Sequence, residues 1–243
     1  YNNREGNDVI KEHCYKSIEL DPKISDNYVL LCYSGYTEIF DHELQDKRQE
    51  NENTYHKNAQ KAFDLDPDNP DAVALFSRSC YYNGRFINYN EPESADSLFT
   101  EGFSAAWKFI TSTVEFQGGF QSIEGDSIAK NIAGLESLSS EALPVAYWWA
   151  ENFTSYLLTK PVLERLENRE IIETVLHQIL SIDPEYNFHG ANRIFGAFYA
   201  KLPGVSLEQS KNNFDKSKIQ SIGSERIGAV TYTHLTLPTN REV

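Results

Sequence analysis

Six histidines, three cysteines and 36 carboxylates are the side chains of this 243-residue sequence that could ligate a metal, move a proton or attack a carbon. Their spacing argues against each use. His13, His42, His56, His177, His189 and His234 never recur three or four residues apart, the interval that puts two ligands on one helical face. Cys14, Cys32 and Cys80 contain no CxxC pair of the kind that builds a redox centre or half a zinc site. No GxGxxG, GxxxxGKS, GxxxxGKT, HExxH, GxSxG or EF-hand loop occurs. Carboxylates this numerous cannot be sorted into a dyad by spacing, and a solvated acidic face is the simpler reading. The expectation is a non-enzymatic protein with no catalytic residue, no metal and no cofactor.

Two stretches suit recognition instead. In Tyr147-Trp148-Trp149 the adjacent indoles point about 100° apart on a helix and cannot fill one core face. If Trp149 joins Ala146 and Phe153 inside, Trp148 looks toward a groove, a neighbouring hairpin or an oligomer contact. In His189-Gly190-Ala191-Asn192-Arg193, Arg193 is placed either to pair with Asp183 or Glu185 or to reach a ligand carboxylate. Asn152-Phe153-Thr154 matches the N-glycosylation triplet but falls on the apolar stripe of a helix, so chance explains it.

The elements that hold these residues are helices. Leu20-Asp21-Pro22, Leu65-Asp66-Pro67 and Ile182-Asp183-Pro184 each end an apolar-periodic run, and proline can neither donate the next helical bond nor leave its predecessor helical. Ser25 or Asp26 after the first stop, and Asn69 with Pro70 after the second, open new helices. Tyr28, Leu31, Gly35, Tyr36 and Ile39 recur at helical spacing, as do Val73, Phe76 and Cys80. Further stripes are Phe99, Phe103, Ala106, Ile110 and Val114, ended by Gly118-Gly119, and Ala146, Trp149, Phe153 and Tyr156, opened by Ser139 or Ser140. A helix from Thr159 carries Ile172, Val175, Leu176, Ile179 and Leu180. Another carries Ala191, Ile194, Phe198 and Leu202 up to Pro203-Gly204, and a capping box at Ser206 and Gln209 starts a last one bearing Phe214.

A small residue five positions before the proline, Ser17 or Ala62 but not at Ile179, is the packing device of tetratricopeptide (TPR) hairpins. Pro22 and Pro67 lie 45 residues apart rather than about 34, so a charged insertion around Phe40 to Asn53 interrupts the first hairpin. The fold expected is all-α, an irregular TPR-like array of antiparallel helical hairpins forming an α-α superhelix.

The net charge of −14 disfavours phosphate backbones and anionic headgroups, so no nucleic-acid partner is expected. No stretch reaches the 18 apolar residues of a membrane span. A chain that opens at Tyr1 and has no methionine reads as one whose N-terminus lies upstream. Residues 230–243 abandon helical periodicity and look like a translated sequencing adapter, a non-native tail; the helical domain is expected over 1–229.

From Pro144 to Gln220 the chain resembles the T-component proteins of TRAP (tripartite ATP-independent periplasmic) transporters. The likeness rests on Tyr147-Trp148-Trp149-Ala150, on Ile182-Asp183-Pro184-Glu185-Tyr186, on Gly190 to Arg193 with Gly196 through Leu202-Pro203-Gly204, and on the helix with Phe214. Leu20-Asp21-Pro22 and Tyr28 to Phe40 extend it more weakly. The resemblance implies a periplasmic accessory lipoprotein, lipid-anchored in the full-length bacterial protein, that binds a periplasmic solute-binding protein and forms a homotrimer. A small, partly apolar ligand would sit between hairpins, with Trp148, Tyr186 and Arg193 as contact residues. The competing expectations are a general TPR-type scaffold that binds a cationic peptide in the cytosol, and a helical hydrolase whose groups converge only in the fold.

Overall fold

The computed structural model describes residues 4–39 and 47–204, with isolated positions 208, 211, 212 and 215. The described residues form an all-α array of antiparallel hairpins without strands. The helices are α1 (Arg4–Leu20), α2 (Ser25–Ile39), α3 (Arg48–Leu65), α4 (Pro70–Tyr82), α5 (Pro92–Ser112), α6 (Val114–Ser122), α7 (Ser127–Glu136), α8 (Leu143–Leu158), α9 (Val162–Glu167), α10 (Arg169–Ile182) and α11 (Tyr186–Tyr199). A π-turn over Asn83–Ile87 follows α4. The chain divides into two compact units, Tyr1–Thr113 with Pro144–Ser155, and Val114–Leu143 with Tyr156–Val243.

In the first unit α1 through α5 pair in sequence order. All three Asp-Pro stops terminate helices where expected, at Leu20, Leu65 and Ile182. Asn69 caps α4, its side-chain oxygen accepting from the amides of Asp71 and Ala72, and Pro70 takes the first helical position, where its missing N–H costs nothing. Ser25 begins α2, and its hydroxyl donates across the hairpins to the Ala62 carbonyl at 3.1 Å. Asn27 donates to the Ser17 hydroxyl at 2.9 Å, so both small residues before the prolines sit at helix crossings. The core joins Val29 and Cys32 of α2, Tyr55 and Ala59 of α3 and Phe76 and Cys80 of α4, with Phe63 stacked on Phe76 at 4.9 Å.

In the second unit α6 pairs with α7, and α10 with α7, α9 and α11. Gly118-Gly119 does not end α5, which stops at Ser112; the glycines lie inside α6. Gly119 is buried where an added methyl would land on the Ala133 carbonyl and the Ser137 hydroxyl of the α7 segment, and a methyl at Gly134 would come within 2.7 Å of the Phe116 ring. Paired glycines thus set the α6–α7 approach. Val114, read as part of the α5 stripe, starts α6 and is 85% exposed.

Other boundaries differ as well. The helix carrying Trp149 opens at Leu143, not at Ser139 or Ser140; those serines make a turn whose carbonyls accept from Ala142 and Leu143. The run expected from Thr159 is two helices, α9 and α10, meeting at Asn168. Of the expected Phe40-to-Asn53 insertion, Arg48 to Asn53 form the start of α3, while 40–46 lie outside the described residues. The capping box at Ser206 and Gln209, Phe214 and the 230–243 tail lie outside them too.

Candidate functional site

The densest functional chemistry of the first unit surrounds a buried arginine. Residues 72 to 81 of α4 are all buried, and within them Arg78 is the single charged side chain. Its Nη1 donates to the Tyr55 hydroxyl of α3 at 2.7 Å. The guanidinium carbon lies 5.1 Å from the Tyr55 ring centroid, 4.9 Å from that of Tyr82 and 5.7 Å from that of Trp148. Tyr82 is one helical turn beyond Arg78, so α4 supplies both cation and ring on one face. Burial drives the Tyr55 phenol well above its ordinary pKa, and the positive charge of Arg78 opposes that rise; Glu52 acts in the upward direction. Tyr55 therefore stays a neutral hydrogen-bonding wall.

Trp148 completes this box. It is 9% exposed and packs against Tyr81 and Tyr82 of α4 with ring centroids 5.8 and 6.0 Å apart. Of the orientations open to it, it takes the neighbouring hairpin. Trp149 turns the other way, toward Trp107 of α5 at 5.5 Å. Below the two indoles Asn152 joins three helices, its amide nitrogen donating to the Ser77 carbonyl and hydroxyl and to the Trp148 carbonyl. Gly102 of α5 makes room, because a methyl there would come within 2.7 Å of Asn152. Asn152 is fully buried, which disposes of it as a glycan acceptor.

One pair has the outline of a nucleophile and a base. His56 Nδ1 lies 2.8 Å from the Ser79 hydroxyl. That hydroxyl already donates to the Phe76 carbonyl at 2.7 Å, so its single proton is spent within α4, and the side chain is fully buried. His56 then serves as the donor, a structural arrangement. Burial lowers its pKa, partly offset by Glu101. The thiols are likewise unactivated: burial pushes Cys32 up to about 12 against the pull of Arg78, and raises Cys80 and Cys14.

Tyr186 and Arg193 belong to α11 in the second unit, and Trp148 belongs to the first. Asn187, Phe188 and His189 hold left-handed backbone angles, with φ of 47°, 56° and 58°. In this turn the carbonyls of Asn187 and Phe188 leave the helical ladder, and Arg193 Nη1 donates to both, at 2.9 and 2.5 Å. Arg193 thus acts on the backbone of its own helix, and the Asp183 carboxylate accepts from the Glu185 amide at 2.9 Å. Nearby, Glu173 accepts from Arg169 at 2.7 Å and from the Tyr199 hydroxyl at 2.8 Å. Burial and the bond to Glu173 push Tyr199 up to about 12.

The profile of the TRAP transporter T-component family matches residues 87–240, well over half of the chain. The chain belongs to that family. Membership gives it a role in TRAP transport and makes it an envelope-associated bacterial protein. No curated protein matches it. The matched span takes in Trp148, Tyr186 and Arg193, while Tyr55 and Arg78 precede it. The arginine box went unread in the sequence, although a lone charge inside the apolar and small-residue run Ala72 to Tyr81 marks it.

Proposed function

We propose that this chain is a non-enzymatic accessory protein of a TRAP-type solute transport system, working in the periplasm and tethered there by a lipid anchor in the full-length protein. It binds the solute-binding protein of the transporter, and a small, partly apolar ligand between its hairpins. The observation that carries the reading is the family match over 87–240. The uneven Asp-Pro stops and the small residues Ser17 and Ala62 at hairpin crossings support describing the hairpins as TPR-like. No helix among the described residues is long and apolar enough to cross a membrane.

The surface charge directs the choice of partner face. At −14 the chain attracts a cationic patch and repels an acidic one. Tyr186 and Arg193 are half-buried and keep surface for contact with a partner. The assembly proposed is a homotrimer. Light scattering of the purified chain tests it: a trimer mass supports the reading and a strict monomer at all concentrations speaks against the assembly.

A further inference from the structure

At the start of α11 three residues hold a backbone hand that their side chains resist. Asn187, Phe188 and His189 stand at φ of 47°, 56° and 58° with ψ of 49°, 54° and 39°, a left-handed turn of three residues in succession. L-residues enter this region singly, and mostly as glycine or asparagine, because Cβ crowds the following carbonyl oxygen. A bulky residue such as Phe188 is the least suited of the three. Both flanks are ordinary: α10 ends at Ile182 ahead of Pro184, and from Gly190 onward α11 is right-handed.

Arg193 clamps this turn. Its Nη1 donates to the Asn187 carbonyl at 2.9 Å and to the Phe188 carbonyl at 2.5 Å, so one nitrogen spans two of the strained residues. The His189 amide closes the turn on the Glu185 carbonyl at 3.2 Å. A right-handed turn would satisfy the same groups in another way. His189 would keep Glu185, the i to i−4 pairing of an α-helix, and the amides of Ala191 and Asn192 would take the Asn187 and Phe188 carbonyls. The left-handed strain would then be gone, and those carbonyls would no longer need the guanidinium. Two arrangements that both pair these carbonyls, one strained and clamped and the other relaxed and unclamped, make the segment bistable.

We infer that Asn187 to His189 form a strained latch: the left-handed turn retains Arg193 on its own helix, and passage to the right-handed turn releases the guanidinium to a hydrogen-bond acceptor on a partner. The segment lies inside the family-matched span. A partner that takes the released arginine binds only the unlatched chains, so its apparent affinity falls with the fraction that is latched. That this partner is the solute receptor rests on the reading given under Proposed function; the latch itself does not.

NMR of the isotope-labelled whole chain tests the latch, since the HN–Hα couplings and Cα shifts of residues 187–189 distinguish the two hands. The unmodified chain should read left-handed at all three. Arg193→Ala removes the clamp and should turn them right-handed. Phe188→Gly, with no Cβ to crowd, should keep the turn left-handed, and the β-branched Phe188→Ile should release it; both lack the ring, so their difference reads the backbone. In titration with the solute-binding protein, the Phe188→Ile chain should bind about tenfold more tightly than the Phe188→Gly chain, the shift set by the left-handed penalty of one residue. A right-handed turn in the unmodified chain, a left-handed turn in folded Arg193→Ala and Phe188→Ile chains, or equal receptor affinity of the two Phe188 variants would each overturn the latch. If the couplings change as stated and no variant binds the receptor, the latch stands and the receptor reading fails.

Discussion

Arg78 and Tyr55 join α4 to α3 through a 2.7 Å hydrogen bond made beneath a ceiling of aromatic rings. A guanidinium buried to this degree is held by the shape of its surroundings as well as by its charge. Arg78→Ala removes the cation, leaves a void and strands the Tyr55 hydroxyl, so about 3 kcal/mol of stability should be lost. Tyr55→Phe removes only the acceptor and should cost about 1–2 kcal/mol. Urea unfolding of both variants checks the order.

Two adjacent glycines should respond with opposite signs. Gly118 faces open space, so Gly118→Ala replaces a helix-interior glycine at no steric cost and should stabilise by about 0.5–1 kcal/mol. Gly119 faces the Ala133 carbonyl, and Gly119→Ala must push α6 away from α7, costing about 1–3 kcal/mol. Thermal unfolding of the two single variants should move Tm in opposite directions.

Asn152 is the polar joint of α4, α5 and α8, and it acts through donors. Asn152→Asp would turn a carboxylate toward the Ser77 and Trp148 carbonyls in a fully buried position. It should be more damaging than Asn152→Ala, which leaves those acceptors unsatisfied at about 1–3 kcal/mol. Comparison of denaturant midpoints decides this; equal losses would mean that packing, not hydrogen bonding, sets the cost.

Acid should weaken the first unit through His56. Its folded pKa is lowered below the ordinary 6.5, chiefly by burial, so the unfolded chain takes up the proton first as pH falls. Stability therefore declines as pH drops below about 6.5 toward the folded value. Replacement by a residue that keeps the bond to Ser79 without titrating, His56→Asn or His56→Gln, should flatten that part of the pH–stability curve.

How far the sequence speaks for the structure depends on how local each signal is. The Asp-Pro stops and the Asn69 cap act within a few residues, and each appears where the chain chemistry demands it. Gly118-Gly119 misleads because glycine serves two ends, terminating a helix or admitting a neighbour, and only the position of α7 decides between them. The same holds for Arg193. It donates to carbonyls freed by a left-handed turn at Asn187, Phe188 and His189; asparagine and histidine tolerate such angles singly, but three in succession, with Phe188 between them, are not announced by local propensity. Trp148 could be read as facing away from Trp149, but its destination against Tyr81 and Tyr82 is a tertiary fact.

We propose that this T-component recognises the solute receptor of its transporter. Titration of the purified TRAP solute-binding protein from the same organism into this chain, followed by calorimetry at low and high salt, tests that most directly. Saturable binding is expected that weakens as salt screens the −14 charge, with a loss of affinity on Arg193→Ala or Tyr186→Ala in chains that remain folded. No binding heat at any salt concentration, with both proteins folded, would contradict it.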